Sequence, residues 1–230
     1  MSTIYLVRHG QGSFGTDDYD QLSALGRGQV QILGAHLAQS GERIDHIYSG
    51  SLRRQRETAE LLASELASIP VSIEPAFDEY ESDAILRCFA ASLSPQDLED
   101  AGWPELRNDR RRFQFFLERA ARAWVEAQIE AEDMTPWSHF HGRIMTALRN
   151  IMQREGRSKT LVISTSGGVI GVIVAQVLGL SNHVGIELNW AVHNASITRL
   201  FYNADKITLS MFNALPHLDR DGRRHLITYR

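Results

Sequence analysis

Three consecutive residues near the beginning of the chain, Arg8, His9 and Gly10, bring a guanidinium, an imidazole and an unsubstituted backbone together. They follow the apolar run Ile4–Val7, which is typical of a short buried strand, so they are predicted to lie where that strand ends. A neutral imidazole with one nitrogen held by a backbone carbonyl can attack phosphorus through the other nitrogen. Arginine offers paired donors that match phosphate oxygens. The tripeptide indicates covalent phosphoryl transfer, although three residues recur by chance and a histidine at a strand end is more often structural.

Further motifs follow this tripeptide in a fixed order. They are Gln11, then Leu22-Ser23 with Gly26 and Gln29, then the segment Tyr48–Ala59. The ordered series resembles the histidine phosphatase superfamily, which includes the cofactor-dependent phosphoglycerate mutases, most strongly at residues 3–60 and 160–213. The resemblance implies that His9 is the catalytic nucleophile and forms a phosphohistidine, and that Arg8 binds the phosphoryl group. It also implies a small phosphorylated substrate and no metal or other cofactor, because the arginines supply the positive charge.

The resemblance implies roles for two more residues. The family pattern Ser-x-Leu-x-Arg carries a second phosphate-binding arginine, which falls on Arg54 in this chain. An arginine in the first turn of a helix opposes the helix dipole and gains from a bound anion there. The family's general acid, a glutamate after the third strand, matches Glu79, which Phe77 and Tyr80 could shield from water. Considered without the family, Arg54 could equally be a surface arginine and Glu79 a solvated carboxylate.

The second family motif departs from its usual sequence. A histidine followed by two glycines is expected after the last core strand, but this chain has Ser166 before Gly167 and Gly168. Ser166 can donate a hydrogen bond to a phosphate oxygen, and the amides near Gly167 can face an anion at a helix N-terminus. A serine lacks the charge-assisted donor of a histidine, so turnover is expected to fall by about 10²–10³-fold.

The segment after the first motif could contact substrate. Gln11 and Ser13 are the candidates, whereas Gly15 stands where the family often has an asparagine. The stretch from 12 to 20 is predicted to be a flexible loop, and its acidic residues would disfavour a highly anionic substrate nearby.

Alternating strands and helices must position these residues. Strands are predicted at Thr3–Val7, Ile44–Tyr48, Val71–Ile73 and Thr160–Ser164, with a final pair at Ser196–Tyr202 and Ile207–Phe212; helices are predicted at Ser23–Ser40, Leu52–Leu66 and from Gly168 to Leu178. This order predicts an α/β fold, a three-layer α/β/α sandwich with a mostly parallel sheet. The charged, aromatic region at about 81–156 is predicted to be a helical insertion or cap over one sheet edge, within a single domain spanning residues 1–230.

The composition excludes several classes of protein. The 230 residues carry a net charge of −4, which gives no broad basic surface for nucleic acid. The basic run Arg107–Arg112 lies among aromatic residues, but acidic residues follow it, so an amphipathic helix is favoured over a nucleic-acid contact. No apolar stretch approaches the roughly 20 residues that span a bilayer, and the single cysteine, Cys88, cannot form an internal disulfide. We therefore expect a cytoplasmic protein without membrane or nucleic-acid partners.

Three functions are compatible with these residues. A phosphomonoester hydrolase is favoured by the ordered motifs. A phosphoglycerate mutase would need further cations to hold a carboxylate, and Gly15 and Ser166 argue against it. A catalytically weakened phosphate-binding or phosphoprotein-recognition module is the third alternative, because Ser166 removes one of the two expected histidines.

Overall fold

The computed structural model describes residues 2–13, 20–103 and 105–229, without the side chains of residues 107, 108 and 110. The chain divides into two compact units. One unit comprises Met1–Glu79 together with Arg143–Arg230, and the other comprises Tyr80–Gly142. All the predicted site residues belong to the first unit, so its sheet determines their positions.

The first unit is built on a six-stranded sheet of order β3-β2-β4-β1-β5-β6. The strands are β1 (Ser2–Arg8), β2 (His46–Ser49), β3 (Val71–Ile73), β4 (Thr160–Thr165), β5 (Ile197–Tyr202) and β6 (Ile207–Ala214). Strands β1 to β4 pair in parallel, whereas β5 is antiparallel to both β1 and β6. The α/β fold and the mostly parallel sheet predicted from the sequence are therefore confirmed. Strand β2 begins two residues later than predicted, although Ile44 is still buried in the core.

Eight α-helices are present in the described residues. They are α1 (Ala24–Gln39), α2 (Arg53–Glu65), α3 (Ser82–Ser92), α4 (Pro95–Ala101), α5 (Arg110–Val125), α6 (Trp137–Glu155), α7 (Gly167–Leu178) and α8 (Asn182–Ala191), with short 3₁₀ turns at Pro75–Phe77, Glu105–Asn108 and Arg224–Leu226. The Ser23 hydroxyl accepts from the Gly26 N–H and so caps α1, as its sequence position predicts. Within these same ranges, no helix is both long and apolar enough to cross a bilayer.

Alternation along β1 explains why helices cover both faces of the sheet. Tyr5 and Val7 point to one face and pack in the core that includes Val30 and Leu33 of α1 and Leu62 of α2. The intervening residues of β1 are also fully buried and point to the opposite face, where α7 lies against β1 and β6. A strand that is apolar on both faces is typical of a parallel sheet between two helical layers.

The second unit contains helices and turns, and no strand, in its described residues. Trp124 is its central aromatic residue, with ring centroids 5.0 Å from Trp137, 5.2 Å from Tyr80 and 5.4 Å from Phe140. The Trp124 indole N–H donates to the Thr135 carbonyl at 2.8 Å, so its polar atom is paired. Helical structure in this region agrees with the sequence, while its placement over one sheet edge stays a prediction.

Candidate active site

Strands β1, β2 and β4 are parallel and end at the same edge of the sheet. His9 follows the end of β1, residues 50–54 follow β2, and Ser166 follows β4. The backbone remains paired past the strand ends, since the His9 N–H donates to the Thr165 carbonyl at 2.9 Å. The carboxyl edge of a parallel sheet is where α/β proteins commonly bind ligands, and the topology brings these three segments together there.

His9 is buried, with 5% of its surface exposed. Its Nδ1 lies 2.8 Å from the Gly10 carbonyl oxygen, which can only accept, so Nδ1 carries the ring hydrogen. Its Nε2 accepts from Arg54 Nε at 3.1 Å. Burial, followed by the positive charges of Arg54 and Arg8, lowers the pKa of His9 well below its ordinary value, and the Gly10 hydrogen bond only partly opposes this. The ring is therefore neutral, and the lone pair of its Nε2 faces a guanidinium.

Arg54 lies in the first turn of α2, and 11% of its side chain is exposed. Besides contacting His9, it donates from Nη1 to Asp20 Oδ1 at 2.6 Å. The other oxygen of Asp20 accepts from the Arg53 N–H at 2.8 Å. A carboxylate thus occupies the N-terminus of α2 and pairs with the arginine predicted to bind phosphate.

Arg53, the neighbour of Arg54, has a different partner. Its Nε donates to Glu57 Oε1 at 2.8 Å, as expected for a salt-bridged surface residue. Burial raises the pKa of Glu57, but the Leu22 N–H and the Arg53 and Arg27 guanidiniums outweigh burial and lower this pKa below its ordinary value. Only Arg54 of the two adjacent arginines is directed at His9.

Arg8 is turned toward backbone carbonyls. Its Nη1 donates to the Val192 carbonyl oxygen and, at 2.7 Å, to the Tyr229 carbonyl oxygen. Its charge still acts on the site, because it contributes to the lowered pKa of His9. Phosphate binding by Arg8 stays a prediction, while these two contacts show the guanidinium tying the end of β1 to the last described residues.

Glu79 lies at the N-terminus of α7. Its Oε2 accepts from the Gly168 N–H at 2.9 Å, in the first turn of that helix. The turn that precedes Glu79 is held by Arg143, which donates to the Pro75 and Asp78 carbonyls, each at 2.7 Å. The carboxyl group is therefore beside the residues that follow β4, and its role as general acid stays a prediction.

Ser166 occupies the N-cap position of α7, but its hydroxyl does not cap the helix. Its Oγ instead accepts from Gln55 Nε2 at 2.9 Å, and the serine is 1% exposed. Gly167 begins α7, and a Cβ there would lie 2.3 Å from Asn189 Oδ1. Both predicted phosphate-binding residues thus lie at the edge where His9 is found, and phosphate binding by them stays a prediction.

Gln11 and Ser13 both contact the segment just before α1, and contact of either with substrate stays a prediction. The Gln11 Oε1 accepts from the Ser23 hydroxyl at 2.9 Å, which supports the cap of α1. The Ser13 N–H donates to the Gln21 carbonyl at 2.8 Å. The predicted loop residues 14–19, including Gly15, lie outside the described residues.

Three residues of the site were missed by the sequence analysis: Asp20, Gln55 and Asn194. Asn194 is 1% exposed and donates from Nδ2 to the His9 carbonyl at 3.3 Å. The contacts of these residues join positions 34, 111 and 185 residues apart, so periodicity could not identify them. The only local signal was the adjacency of Gln55 to Arg54.

No metal-binding cluster accompanies these residues. Within residues 2–13, 20–103 and 105–229, no three His, Cys, Asp or Glu side chains converge to hold a metal ion. The positive charge at the site comes from arginines, which suit the non-bridging oxygens of a phosphoryl group.

The family model, the curated relatives and the solved structures that resemble this chain agree with one another. Residues 4–215 match the model described as the histidine phosphatase superfamily, branch 1. Phosphoglycerate mutase-like protein 4 of Arabidopsis thaliana is 24% identical, over 95% of this chain and 88% of its own length. Among solved structures, YhfR of Bacillus stearothermophilus superposes with a TM-score of 0.68 at 18% identity, covering 94% of this chain and 99% of its own. A mycobacterial glucosyl-3-phosphoglycerate phosphatase superposes with a TM-score of 0.63 at 22% identity, covering 93% and 99%.

Proposed function

Because the chain belongs to the histidine phosphatase superfamily, branch 1, we propose that it is a phosphomonoester hydrolase acting through a phosphohistidine on His9. The observation that carries the proposal is the buried neutral ring of His9, whose Nε2 faces the Arg54 guanidinium. A neutral nitrogen next to a cation is suited to attack phosphorus, because the cation attracts the phosphoryl oxygens without protonating the nucleophile.

The first half-reaction transfers the phosphoryl group to the enzyme. Nε2 of His9 forms a bond to phosphorus while the bond from phosphorus to the leaving oxygen breaks. Arg54 exchanges its contact with Nε2 for a phosphoryl oxygen, Arg8 adds positive charge, and Ser166 with the Gly167 amide donates to the remaining oxygens. Glu79 gives its proton to the leaving oxygen; Oε2 accepts from Gly168, so Oε1 carries that proton.

The second half-reaction restores the enzyme. Water attacks phosphorus and gives a proton to the Glu79 carboxylate, which serves as general base. The bond between phosphorus and Nε2 breaks, inorganic phosphate leaves, and His9 is neutral again. Atoms and charges balance, and no further reactant is consumed.

The substrate is proposed to be a small phosphorylated molecule. The mycobacterial relative is named for glucosyl-3-phosphoglycerate, a small phosphomonoester. Gln11 and Ser13, next to His9 in the sequence, are proposed to contact the part of the substrate beyond the phosphoryl group.

The test is direct detection of the intermediate. After brief incubation with p-nitrophenyl phosphate and acid-free quenching, we expect a mass gain of one phosphoryl group on the wild type, labile to acid. His9→Ala should show no gain and a turnover reduced by about 10⁴-fold or more, because the nucleophile is gone. His46→Ala is the matched control, a histidine whose pKa is also lowered, by burial, but which lies within β2. Unchanged turnover in His9→Ala contradicts the proposal.

A weakened phosphate-binding module is the second candidate. It is favoured by the Asp20 carboxylate, which already occupies Arg54, and by the absence of a cationic side chain at Ser166. Vanadate binding without turnover of any member of a phosphoester panel would favour this candidate over the hydrolase. A phosphoglycerate mutase is tested separately, by isomerisation of 3-phosphoglycerate with a bisphosphate primer.

A further inference from the structure

Gln55 lies at the centre of the site without a role assigned to it. It is fully buried in the first turn of α2, immediately after Arg54. Its Nε2 donates to the Phe77 carbonyl at 3.1 Å and to Ser166 Oγ at 2.9 Å. Its backbone carbonyl accepts from the Ser164 hydroxyl at 2.8 Å. One side chain thus joins α2, the turn before Glu79 and the end of β4.

The space for this amide is made by Gly50. A Cβ at Gly50 would lie 1.9 Å from Gln55 Oε1, closer than any two such atoms can approach. The φ angle of Gly50 is not in the positive region, so the position needs a glycine for space and not for backbone freedom. The position of the Gln55 amide beside Arg54 therefore requires a residue without a side chain at position 50.

The number of hydrogen bonds that the Ser166 hydroxyl can form limits its role in the site. A serine hydroxyl has one donor and two acceptor positions. Gln55 Nε2 occupies an acceptor position of Ser166 Oγ, and the hydroxyl does not cap α7. Neither of these observations uses the serine proton, so the hydroxyl can still donate to an acceptor such as a phosphoryl oxygen.

We propose that Gln55 is a positioning residue, which fixes the Ser166 hydroxyl so that it donates to a phosphoryl oxygen in the transition state. This inference rests on the proposed function and adds the means by which the site works with a serine at position 166. The pair Gln55–Ser166 supplies a neutral, oriented donor. Gln55 Oε1 is buried and has no hydrogen-bond partner among the described residues. A buried acceptor without a partner destabilises the fold, and a functional role for the Nε2 contact explains why it is retained.

The first test is a double-mutant cycle. Gln55→Met keeps the length and shape of the side chain but cannot donate, and Ser166→Ala removes the hydroxyl. Each is expected to lower kcat by about 10²-fold with little change in KM, as for loss of one transition-state donor. Because Gln55 acts through Ser166, the double variant should also lose about 10²-fold. A double variant with the product of the two losses, or Gln55→Met with wild-type kcat, overturns the inference.

A second variant guards against a general loss of structure. Gln55→Glu retains the size of the side chain but would accept from the Ser166 hydroxyl and turn its proton away from the phosphoryl group. It should lower kcat as Gln55→Met does, while thermal unfolding in both variants shows a folded protein. Full kcat in Gln55→Glu contradicts the orientation of the hydroxyl.

Substitution at position 166 gives an independent test. An imidazole is much larger than a hydroxymethyl group, and Gln55 Nε2 already lies 2.9 Å from Ser166 Oγ. Ser166→His alone is therefore expected to lower kcat. In Gln55→Ala the imidazole has room, so the double variant Gln55→Ala with Ser166→His should have a higher kcat than Gln55→Ala alone. A gain in kcat from Ser166→His alone overturns the inference.

These outcomes are distinguishable from failure of the proposed function. If the wild type forms phosphohistidine and turns over but the variants behave additively, only the role of Gln55 fails. If the wild type has no turnover, the cycle is repeated on vanadate affinity. Equal and non-additive losses of vanadate affinity then support the pair, and unchanged affinity in Gln55→Met overturns it.

Discussion

Charge and burial around His9 set its protonation. The ring is buried, the positive charges of Arg54 and Arg8 act on it, and its Nδ1 is directed at the Gly10 carbonyl. Burial and the positive neighbours both disfavour a charged ring, so the ring of His9 stays neutral over a pH range in which an exposed histidine is largely protonated. Arg54 therefore has two effects: it contacts Nε2 directly, and it keeps that nitrogen unprotonated.

Adjacent arginines allow the electrostatic effect of Arg54 to be isolated. Arg54→Gln removes a positive charge that lowers the pKa of His9, so this pKa should rise toward its ordinary value, with burial still holding it below. Titration of the ring followed by ¹⁵N NMR measures the change. Arg53→Gln is the matched control, because Arg53 pairs with Glu57. An equal rise in the pKa of His9 in both variants would contradict the assignment.

The dependence of kcat/KM on pH on the acid side is a second measure of the pKa of His9. The limb of kcat/KM belongs to the free enzyme, and the lowered pKa of His9 means that protonation of this proposed nucleophile is centred well below pH 6.5. With a phosphorothioate or other ester whose own ionisation is complete at these pH values, kcat/KM should stay level as the pH falls through 6.5. A loss of kcat/KM centred at 6.5 is inconsistent with a buried neutral His9.

Helix α1 crosses the loop after β1 in close backbone contact, and this contact between two elements helps to position the site. A Cβ at Gly26 would lie 2.1 Å from the Gln11 carbonyl oxygen, and one at Gly10 would lie 2.4 Å from the Gly26 carbonyl oxygen. Helix and loop backbones touch here without intervening side chains. The contact places α1 directly beside His9, and Gln29 of α1 reinforces it by accepting from the Gln11 N–H at 2.9 Å.

Two glycines of the same helix give opposite predictions. Gly26→Ala should lower the free energy of unfolding by about 1–3 kcal/mol, because the added methyl group forces the loop away from the helix. Gly28 has nothing within 4 Å of its would-be Cβ, so Gly28→Ala should raise the free energy of unfolding by about 0.5–1 kcal/mol. Urea unfolding measures both. Only Gly26→Ala should also lower turnover, and equal effects of the two substitutions would contradict the close crossing.

The response of the whole first unit to acid depends on a histidine far from the site. His217 is fully buried, and neither ring nitrogen has a partner among the described residues. Burial lowers its pKa to about 3, with help from the positive charges of Arg220 and Arg223 and from His36. Between pH 6.5 and 3 the unfolded chain therefore binds a proton that the folded chain does not, so stability is lost as the pH falls.

His217→Leu should weaken this acid dependence. The substitution removes one proton from the linkage, worth about 1.4 kcal/mol per pH unit between pH 6 and 4. Little change in the free energy of unfolding is expected at pH 8, since no hydrogen bond of the ring is lost. The exposed His225, replaced by leucine, is the control. Parallel pH dependences of the wild type and His217→Leu would contradict the burial of a neutral ring.

Local patterns determined much of the architecture and part of the site. Apolar runs of β-branched residues predicted the strands, and the cap at Ser23 predicted the start of α1, because these signals depend on neighbours a few residues apart. The positions of His9 and Ser166 directly after strands followed from the same patterns. The family's motif order added Arg54 and Glu79, which the structure places at the same edge of the sheet.

Tertiary structure alone decided how the side chains are paired. Arg8 reaches a carbonyl 221 positions away, and Gln55 meets Ser166 across 111 positions. Such contacts are created when the sheet brings distant strand ends to one edge, and no local periodicity encodes them. The sequence by itself therefore determined which chemical groups stand at the ends of the strands. Only the fold decided which of them contact His9, because burial and proximity, which set charge and orientation, arise from chain segments that are far apart in sequence.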